Sequence, residues 1–142
     1  MEEFGKDGRV AWVYRHFPLD SIHSKSRNEA QASECAARLG GGAKFWEYLD
    51  ELFKVTPSNN GLDPKELPKI ASRIGLDENS FSVCLAGNGD KDKIQADLDD
   101  AIASGGQGTP WNILINAKGK KFVINGALPY DAVKEVVLEA LK

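Results

Sequence analysis

A glycine-rich segment that ends in Thr109-Pro110 and runs directly into the apolar stretch 111–116 is the strongest constraint on how this chain can fold. Proline has no N–H to donate to a β ladder, so within a sheet it belongs at the first residue of a strand. The bond before a proline is also the usual place for a cis peptide. The segment therefore predicts a loop that turns sharply and enters a buried strand at Pro110.

Composition and charge exclude several classes of partner. The 142 residues fit one domain with a core of normal size, and 42% hydrophobic with 27% charged residues is ordinary for a globular protein. A net charge of −3 gives no support to nucleic acid or an anionic membrane as a partner. No apolar run approaches the length of a membrane span, and residues 1–4 do not resemble a signal peptide. We expect neither nucleic acid nor a membrane as a partner.

The hydrophobic pattern predicts an α/β fold in the order strand, five helices, two strands, helix. The predicted elements are strand A (9–17), helices at about 24–39 and 43–54 with glycines 40–42 between them, a helix opening at 63–66 and stopping at Gly75, a short helix capped by Asp77 and ended by Gly87, a helix at about 90–104, strand B (111–116), strand C (121–125) and a helix from Pro129 onward. Asp63 is expected to cap the third helix, and Glu66 to complete a capping box. Four residues join strands B and C, so they form a hairpin.

Several residues invite a chemical interpretation that a structural one outweighs. His16 and His23 have no acidic or cysteine partner at a meaningful spacing, so we expect structural roles for both. We expect core packing, rather than a ligand-binding box, from three aromatic residues: Phe45, Trp46 and Phe53. Three acidic residues are expected to form a solvated helix face instead of a metal site: Asp97, Asp99 and Asp100. Trp111 is expected to pack beside the Thr109-Pro110 loop.

Five short segments, in order along nearly the whole chain, resemble the DsbA-like family of thiol-disulfide oxidoreductases. They are RHFPL at 15–19, GAKFWEY at 42–48, FSVCL at 81–85, GTP at 108–110 and GALPY at 126–130. This resemblance implies a thioredoxin-like fold, formed by residues 1–19 and 105–142, with an all-helical insertion at 20–104. No single segment is decisive, but five in the same order are specific.

The family's chemistry resides in a CxxC motif at the start of the first long helix, where the helix N-terminus stabilises a thiolate. This chain contains no CxxC motif, and Cys35 and Cys84 lie on different predicted helices. No catalytic residue of the family can therefore be assigned to a position in this sequence. The chain resembles the family from the end of that first helix onward, so we expect a form lacking the first core strand and the CxxC segment.

The resemblance does transfer two other features. Thr109 and Pro110 match the family's cis-proline loop, which implies a cis bond and backbone hydrogen bonds from Thr109 to a substrate polypeptide. Cys35 and Cys84 are either a structural disulfide, which the extracytoplasmic location of family members would permit, or two buried free thiols. An extracytoplasmic location is implied only if the chain follows the family.

The function implied by the resemblance is oxidation or isomerisation of disulfides in substrate polypeptides, without a cofactor or a metal. Two alternatives remain, a redox-inactive polypeptide-binding module and, more distantly, a relative of the glutathione-dependent isomerases. Without the central strand of the fold, strands A and B have bare edges. We expect these strands either to pair with each other or to be completed by another copy, which would give a homo-oligomer.

Overall fold

The computed structural model describes residues 3–6, 8–87 and 89–142. Its elements are α1 (Ser26–Val55), α2 (Glu66–Arg73), α3 (Glu78–Gly87), α4 (Lys91–Ala103), β1 (Trp111–Ile115), β2 (Lys121–Asn125) and α5 (Tyr130–Ala140). The chain forms two compact units, a helical unit of residues 18–98 and a sheet unit of residues up to 17 together with 99–142. The boundaries between the two units lie after residues 17 and 98, whereas the sequence predicted boundaries after residues 19 and 104.

The helical unit contains most of the hydrophobic core. Helix α1 is interrupted at Gly41, whose φ of 79° and ψ of −176° are not helical, so the glycine run separates the two predicted helices as expected. The fully buried Tyr48 stacks on Phe81 at 5.4 Å between ring centroids and donates its hydroxyl to the Leu67 carbonyl oxygen at 3.1 Å. Burial raises the pKa of Tyr48 because its phenolate would lose hydration. These contacts join α1, α2 and α3 into one core.

The aromatic residues expected in this core are only partly there. Trp46 is 40% exposed and Phe53 is 64% exposed, so the prediction that they pack in the core is wrong. Tyr48, Leu49 and Leu52 occupy the buried face of α1 instead. The periodicity identified an apolar face correctly, but the buried stripe is displaced because α2 and α3 contact the Tyr48 side of the helix.

Asp77 caps α3, because its side chain accepts the Ser80 N–H at 2.8 Å. The Asp63 side chain accepts the Lys65 N–H at 2.9 Å, but Lys65 is the N-cap residue of α2, and no described side chain caps this helix. Asp63 therefore stabilises the turn before α2 and does not cap the helix as expected. The bond from Ser80 lowers the pKa of Asp77, because it favours the charged carboxylate. Glu66 does not complete a capping box. Its carboxylate instead pairs with two cations one and two turns along α2, Lys69 at 2.7 Å and Arg73 at 3.3 Å.

The sheet of the sheet unit is the antiparallel hairpin of β1 and β2, with Trp111 opposite Asn125 and Ile115 opposite Lys121. Helix α5 contacts both strands, and buried side chains lie on β2 and α5: Ile124, Val137 and Ala140. The predicted strand A does not form. Residues 10–17 have no assigned strand, and the described sheet contains only β1 and β2. A strand needs a neighbour to pair with, and no described segment provides one, so strands A and B do not pair directly.

Candidate functional site: the cis-proline loop

The loop that leads to Pro110 begins with a glycine motif that terminates α4. Gly105 donates its N–H to the Ile102 carbonyl oxygen and Gly106 donates to that of Ala101, both at 2.9 Å. Gly105 has a φ of +96°, in the left-handed region that glycine adopts at least cost. This pair of bonds is the Schellman motif, which satisfies the last carbonyls of the helix. The glycine pair therefore fixes the direction in which the chain leaves α4.

Gly106 is buried, and three parts of the sheet unit meet around it. A Cβ at this position would lie 2.8 Å from the Ala101 carbonyl oxygen, 2.9 Å from Cε1 of Phe17 and 3.1 Å from Cγ of Trp111. No side chain larger than hydrogen fits there without displacement of these atoms. Residues 105 and 106 are therefore glycines for different reasons, one conformational and one steric.

The bond between Thr109 and Pro110 is cis, as the resemblance implied. Contacts on both sides hold the loop, since the Pro110 carbonyl oxygen accepts the Gly126 N–H at 3.0 Å and the Trp111 indole N–H donates to the Ser104 hydroxyl at 2.8 Å. Trp111 is half-buried and packs as expected. No sequence pattern indicates that Ser104 anchors this indole, because the contact depends on how the loop folds back on the end of α4.

Thr109 is exposed, and its backbone N–H and carbonyl have no hydrogen-bond partner among the described residues. Exposed backbone groups that the fold leaves without a partner can bind another polypeptide by main-chain hydrogen bonds. The segment 104–111 contains no ionisable side chain, so such a contact would not select its ligand by charge.

The edge of β1 that does not pair with β2 also carries backbone groups without a partner strand among the described residues. Backbone bonds join Pro110 to Gly126 and Asn116 to Lys120 at the two ends of the hairpin, and paired residues alternate along antiparallel strands. The backbone N–H and carbonyl groups of residues 112 and 114 therefore point toward β2. The same groups of Trp111, Ile113 and Ile115 point to the opposite edge. No described strand covers that edge.

The neighbouring residues 14–16 have structural contacts. His16 is 4% exposed and lies edge-on to the Tyr14 ring at 5.4 Å between centroids, which agrees with the structural role expected for it. Burial raises the pKa of Tyr14, because the phenolate would lose hydration. Arg15 pairs with Asp100 at 2.7 Å, but both side chains are about half-exposed or more, so the pair contributes little to stability.

Three aspartates of α4 differ in their exposure. Asp99 and Asp100 are exposed as expected, whereas Asp97 is only 6% exposed, so the expectation of a solvated face is wrong for Asp97. Its carboxylate lies 3.6 Å from Lys93, one turn earlier on the helix. This cation also pairs with Glu34 at 2.5 Å, so it compensates the charge of Asp97 only in part.

The two cysteines form a disulfide within the helical unit. Cys35 on α1 and Cys84 on α3 are bonded, with 5.8 Å between their Cα atoms, and no free cysteine remains. Cys35 is fully buried. Of the two alternatives that the sequence left open, the structure contains the disulfide. Neither cysteine is available as a thiolate for exchange while this bond is intact.

The fold has a close match among solved structures. The chain aligns with Pseudomonas aeruginosa DsbA2 with a TM-score of 0.71 and 24% identity, over 88% of this chain and 68% of that protein. The described elements are therefore those of a DsbA-like thioredoxin fold. No protein-family model matches the chain.

The curated proteins that are similar to this chain in sequence are named as antiporters and not as DsbA proteins. Na(+)/H(+) antiporter NhaA 3 of Salinispora tropica is 36% identical over 101 residues, which is 71% of this chain and 15% of the antiporter. Na(+)/H(+) antiporter NhaA 1 of Mycobacterium sp. (strain KMS) is 33% identical over 140 residues, 96% of this chain and 20% of the antiporter. The chain thus spans a fifth or less of these relatives. None of the described helices has both the length and the apolar character needed to cross a bilayer.

Proposed function

We propose that these 142 residues form the polypeptide-binding part of a DsbA-like thiol-disulfide oxidoreductase. The observation that carries the proposal is the cis Thr109–Pro110 loop, which exposes the backbone groups of Thr109 beside the free edge of β1. An extended substrate segment would exchange main-chain hydrogen bonds with Thr109. Binding of this kind reads backbone rather than side chains, as an enzyme that acts on many unfolded polypeptides requires.

The exchange chemistry itself needs a thiolate next to the bound segment. Both cysteines of the chain are held in the disulfide of the helical unit, and one of them is fully buried. In this proposal the 142 residues bind polypeptide, and a nucleophilic cysteine from outside them performs the exchange. The alternative, a redox-inactive binding module, would bind polypeptide in the same way but would have no nucleophilic cysteine to perform the exchange. A glutathione-dependent isomerase has no residue here to support it.

Replacement of Pro110 tests the binding step. The proline ring fixes φ at the residue that follows Thr109, so Pro110→Ala frees the backbone of the loop that presents Thr109. The loss of two backbone hydrogen bonds, each about 1 kcal/mol, corresponds to about 30-fold weaker binding. The measurement is titration with a reduced and alkylated unfolded polypeptide, followed by amide shifts of residues 105–116. The matched control is Pro64→Ala, at an exposed proline of the helical unit, and equal affinity of the two variants would contradict the proposal.

An activity assay tests the assignment of the cysteines. The unmodified chain should not accelerate the reduction of insulin by dithiothreitol, because its only cysteines form the Cys35–Cys84 disulfide. An acceleration that disappears in Cys84→Ala would show that this pair exchanges, and would overturn its assignment as structural.

We also propose that a second copy can occupy the free edge of β1. Ile115 is 61% exposed and its N–H points away from β2, so Ile115→Pro removes an outward donor without removing a ladder bond. Val123→Pro is the control, because Val123 is 53% exposed and the substitution removes a donor from the outer edge of β2 instead. Light scattering across a concentration series should show a dimer that Ile115→Pro abolishes and Val123→Pro preserves. A monomer at every concentration would refute the pairing.

The antiporter matches support a second candidate, attachment of this fold to a sodium/proton antiporter. The identity extends over 96% of this chain in the Mycobacterium relative, so the likeness is not confined to a short motif. In this candidate the chain binds the remaining part of such an antiporter. The test is co-sedimentation of the purified chain with proteoliposomes that contain that part, against protein-free liposomes of the same lipid. Equal sedimentation with both would exclude it.

A further inference from the structure

A buried carboxylate lies against the disulfide of the helical unit. One ligand atom from each of Cys35, Cys84 and Asp90 lies within 4.8 Å of the other two. Asp90 immediately precedes α4 and is 9% exposed. Sequence alone does not connect Asp90 with the cysteines, because the three residues come from three different segments of the chain.

The two oxygens of this carboxylate have different surroundings. Oδ1 accepts a hydrogen bond from the Arg38 guanidinium at 2.5 Å, whereas Oδ2 is buried and has no hydrogen-bond partner among the described residues. Gly89 leaves room for this arginine, since a Cβ there would lie 2.7 Å from its Nη1. A buried oxygen without a partner is costly, so an unsatisfied Oδ2 needs an explanation.

We propose that reduction of the Cys35–Cys84 disulfide creates a binding site for Zn²⁺ or a similar thiophilic divalent cation, with the two thiolates and Asp90 as ligands. Thiolate sulfur and carboxylate oxygen are common zinc ligands, at about 2.3 Å and 2.1 Å from the metal. The Arg38 bond to Oδ1 is the kind of outer contact that orients a ligating carboxylate. Water would take the fourth position.

The geometry requires only a small movement. Tetrahedral coordination places two sulfur ligands about 3.8 Å apart and a sulfur and an oxygen ligand about 3.6 Å apart. The Cα atoms of the two cysteines lie 5.8 Å apart, so rotation about the side-chain bonds can supply this separation once the S–S bond is broken. The fold already holds the third ligand atom within 4.8 Å of both.

The charges also balance. Two thiolates and the Asp90 carboxylate contribute −3, and the metal with Arg38 contributes +3. A neutral cluster is the arrangement that a largely buried site tolerates best. Cys84 is less buried than Cys35, so a reductant reaches the disulfide from the Cys84 side.

The chemistry has two steps. A dithiol reductant transfers two electrons, which breaks the S–S bond, leaves two protein thiols and converts the reductant to its own disulfide. The metal then displaces one proton from each thiol and forms two metal–sulfur bonds. The oxidised protein lacks the thiolates and therefore does not form the site. This inference is independent of polypeptide binding at Pro110.

Cobalt is a suitable probe because thiolate-bound Co²⁺ has a charge-transfer absorption. The full chain, kept reduced by a phosphine, should bind one Co²⁺ with this band, and Zn²⁺ should displace it. The oxidised chain should show no such band. Asp90→Asn should weaken binding about 10-fold or more, whereas Asp92→Asn, at an exposed aspartate on α4, should bind like the unmodified chain.

Circular dichroism of the same samples separates the site from binding by an unfolded dithiol. Helical signal retained on reduction, or restored by Co²⁺, together with a higher unfolding temperature in Zn²⁺, supports the site. A folded reduced chain without the band would overturn the proposal, as would loss of helical signal that metal does not restore. Equal affinity of Asp90→Asn and the unmodified chain would remove Asp90 from the site and refute the three-ligand arrangement.

Discussion

Reduction of the disulfide in metal-free buffer should substantially lower the stability of the helical unit. The bond joins residues 49 positions apart, so it closes a loop of about 50 residues in the unfolded chain. In the chain-entropy model such a loop corresponds to about 14 cal/mol/K, or about 4 kcal/mol at 25 °C. We expect a loss of this size in the free energy of unfolding, with a steeper denaturant dependence because the reduced unfolded chain exposes more surface.

The assay is urea unfolding followed by far-ultraviolet circular dichroism, with a chelator present so that no metal compensates for the lost cross-link. Reduction is a cleaner perturbation than mutation, because it keeps both sulfur atoms in the core. Val83→Ala serves as a control, since Val83 precedes Cys84 on α3 and is 74% exposed, and its effect should be within about 0.5 kcal/mol. If reduction changed the free energy of unfolding by less than about 1 kcal/mol, the disulfide would not constrain the unfolded chain as argued.

Two further predictions concern the loop and a helix cap. Gly106→Ala should lower stability by about 1–3 kcal/mol, the usual range for an overpacked site, and should weaken polypeptide binding; Gly108→Ala, where a Cβ has nothing within 4 Å, is its control in the same melts and titrations. For Asp77, whose pKa the bond from Ser80 lowers, the stabilisation is complete above the unfolded pKa of about 3.9 and is lost as the pH falls through the lower folded value. Asp77→Asn keeps a capping oxygen and does not titrate, so its unfolding midpoint should fall less steeply in acid; parallel curves for the two proteins would contradict this.

The free edge of β1 has a part in two of the proposals, the binding of a polypeptide and the binding of a second copy. An exposed strand edge presents backbone groups that another strand can pair with. The cis-proline loop lies at one end of this edge, because Pro110 directly precedes β1. A bound polypeptide and a second copy would therefore compete for neighbouring backbone groups, and an excess of unfolded polypeptide should shift the dimer toward monomer.

Local sequence rules sufficed where the structure depends on neighbouring residues. The hairpin at 111–125, the helix break at Gly41 and the cap at Asp77 all follow from turn and capping chemistry within a few residues. The DsbA-like fold and the cis bond at Pro110 required the resemblance of five separate segments, since most bonds before proline are trans.

The features that the sequence could not supply depend on contacts between distant segments. Residues 10–17 have the composition of a strand but form none, because a strand exists only through its partner. Phe53 is apolar but exposed, while Asp97 is charged but buried, because neighbouring elements and a nearby cation decide burial. Only the tertiary structure brings Asp90 next to the disulfide. The sequence by itself determined the local elements and the type of fold, and the packing of segments far apart in the chain decided which side chains meet.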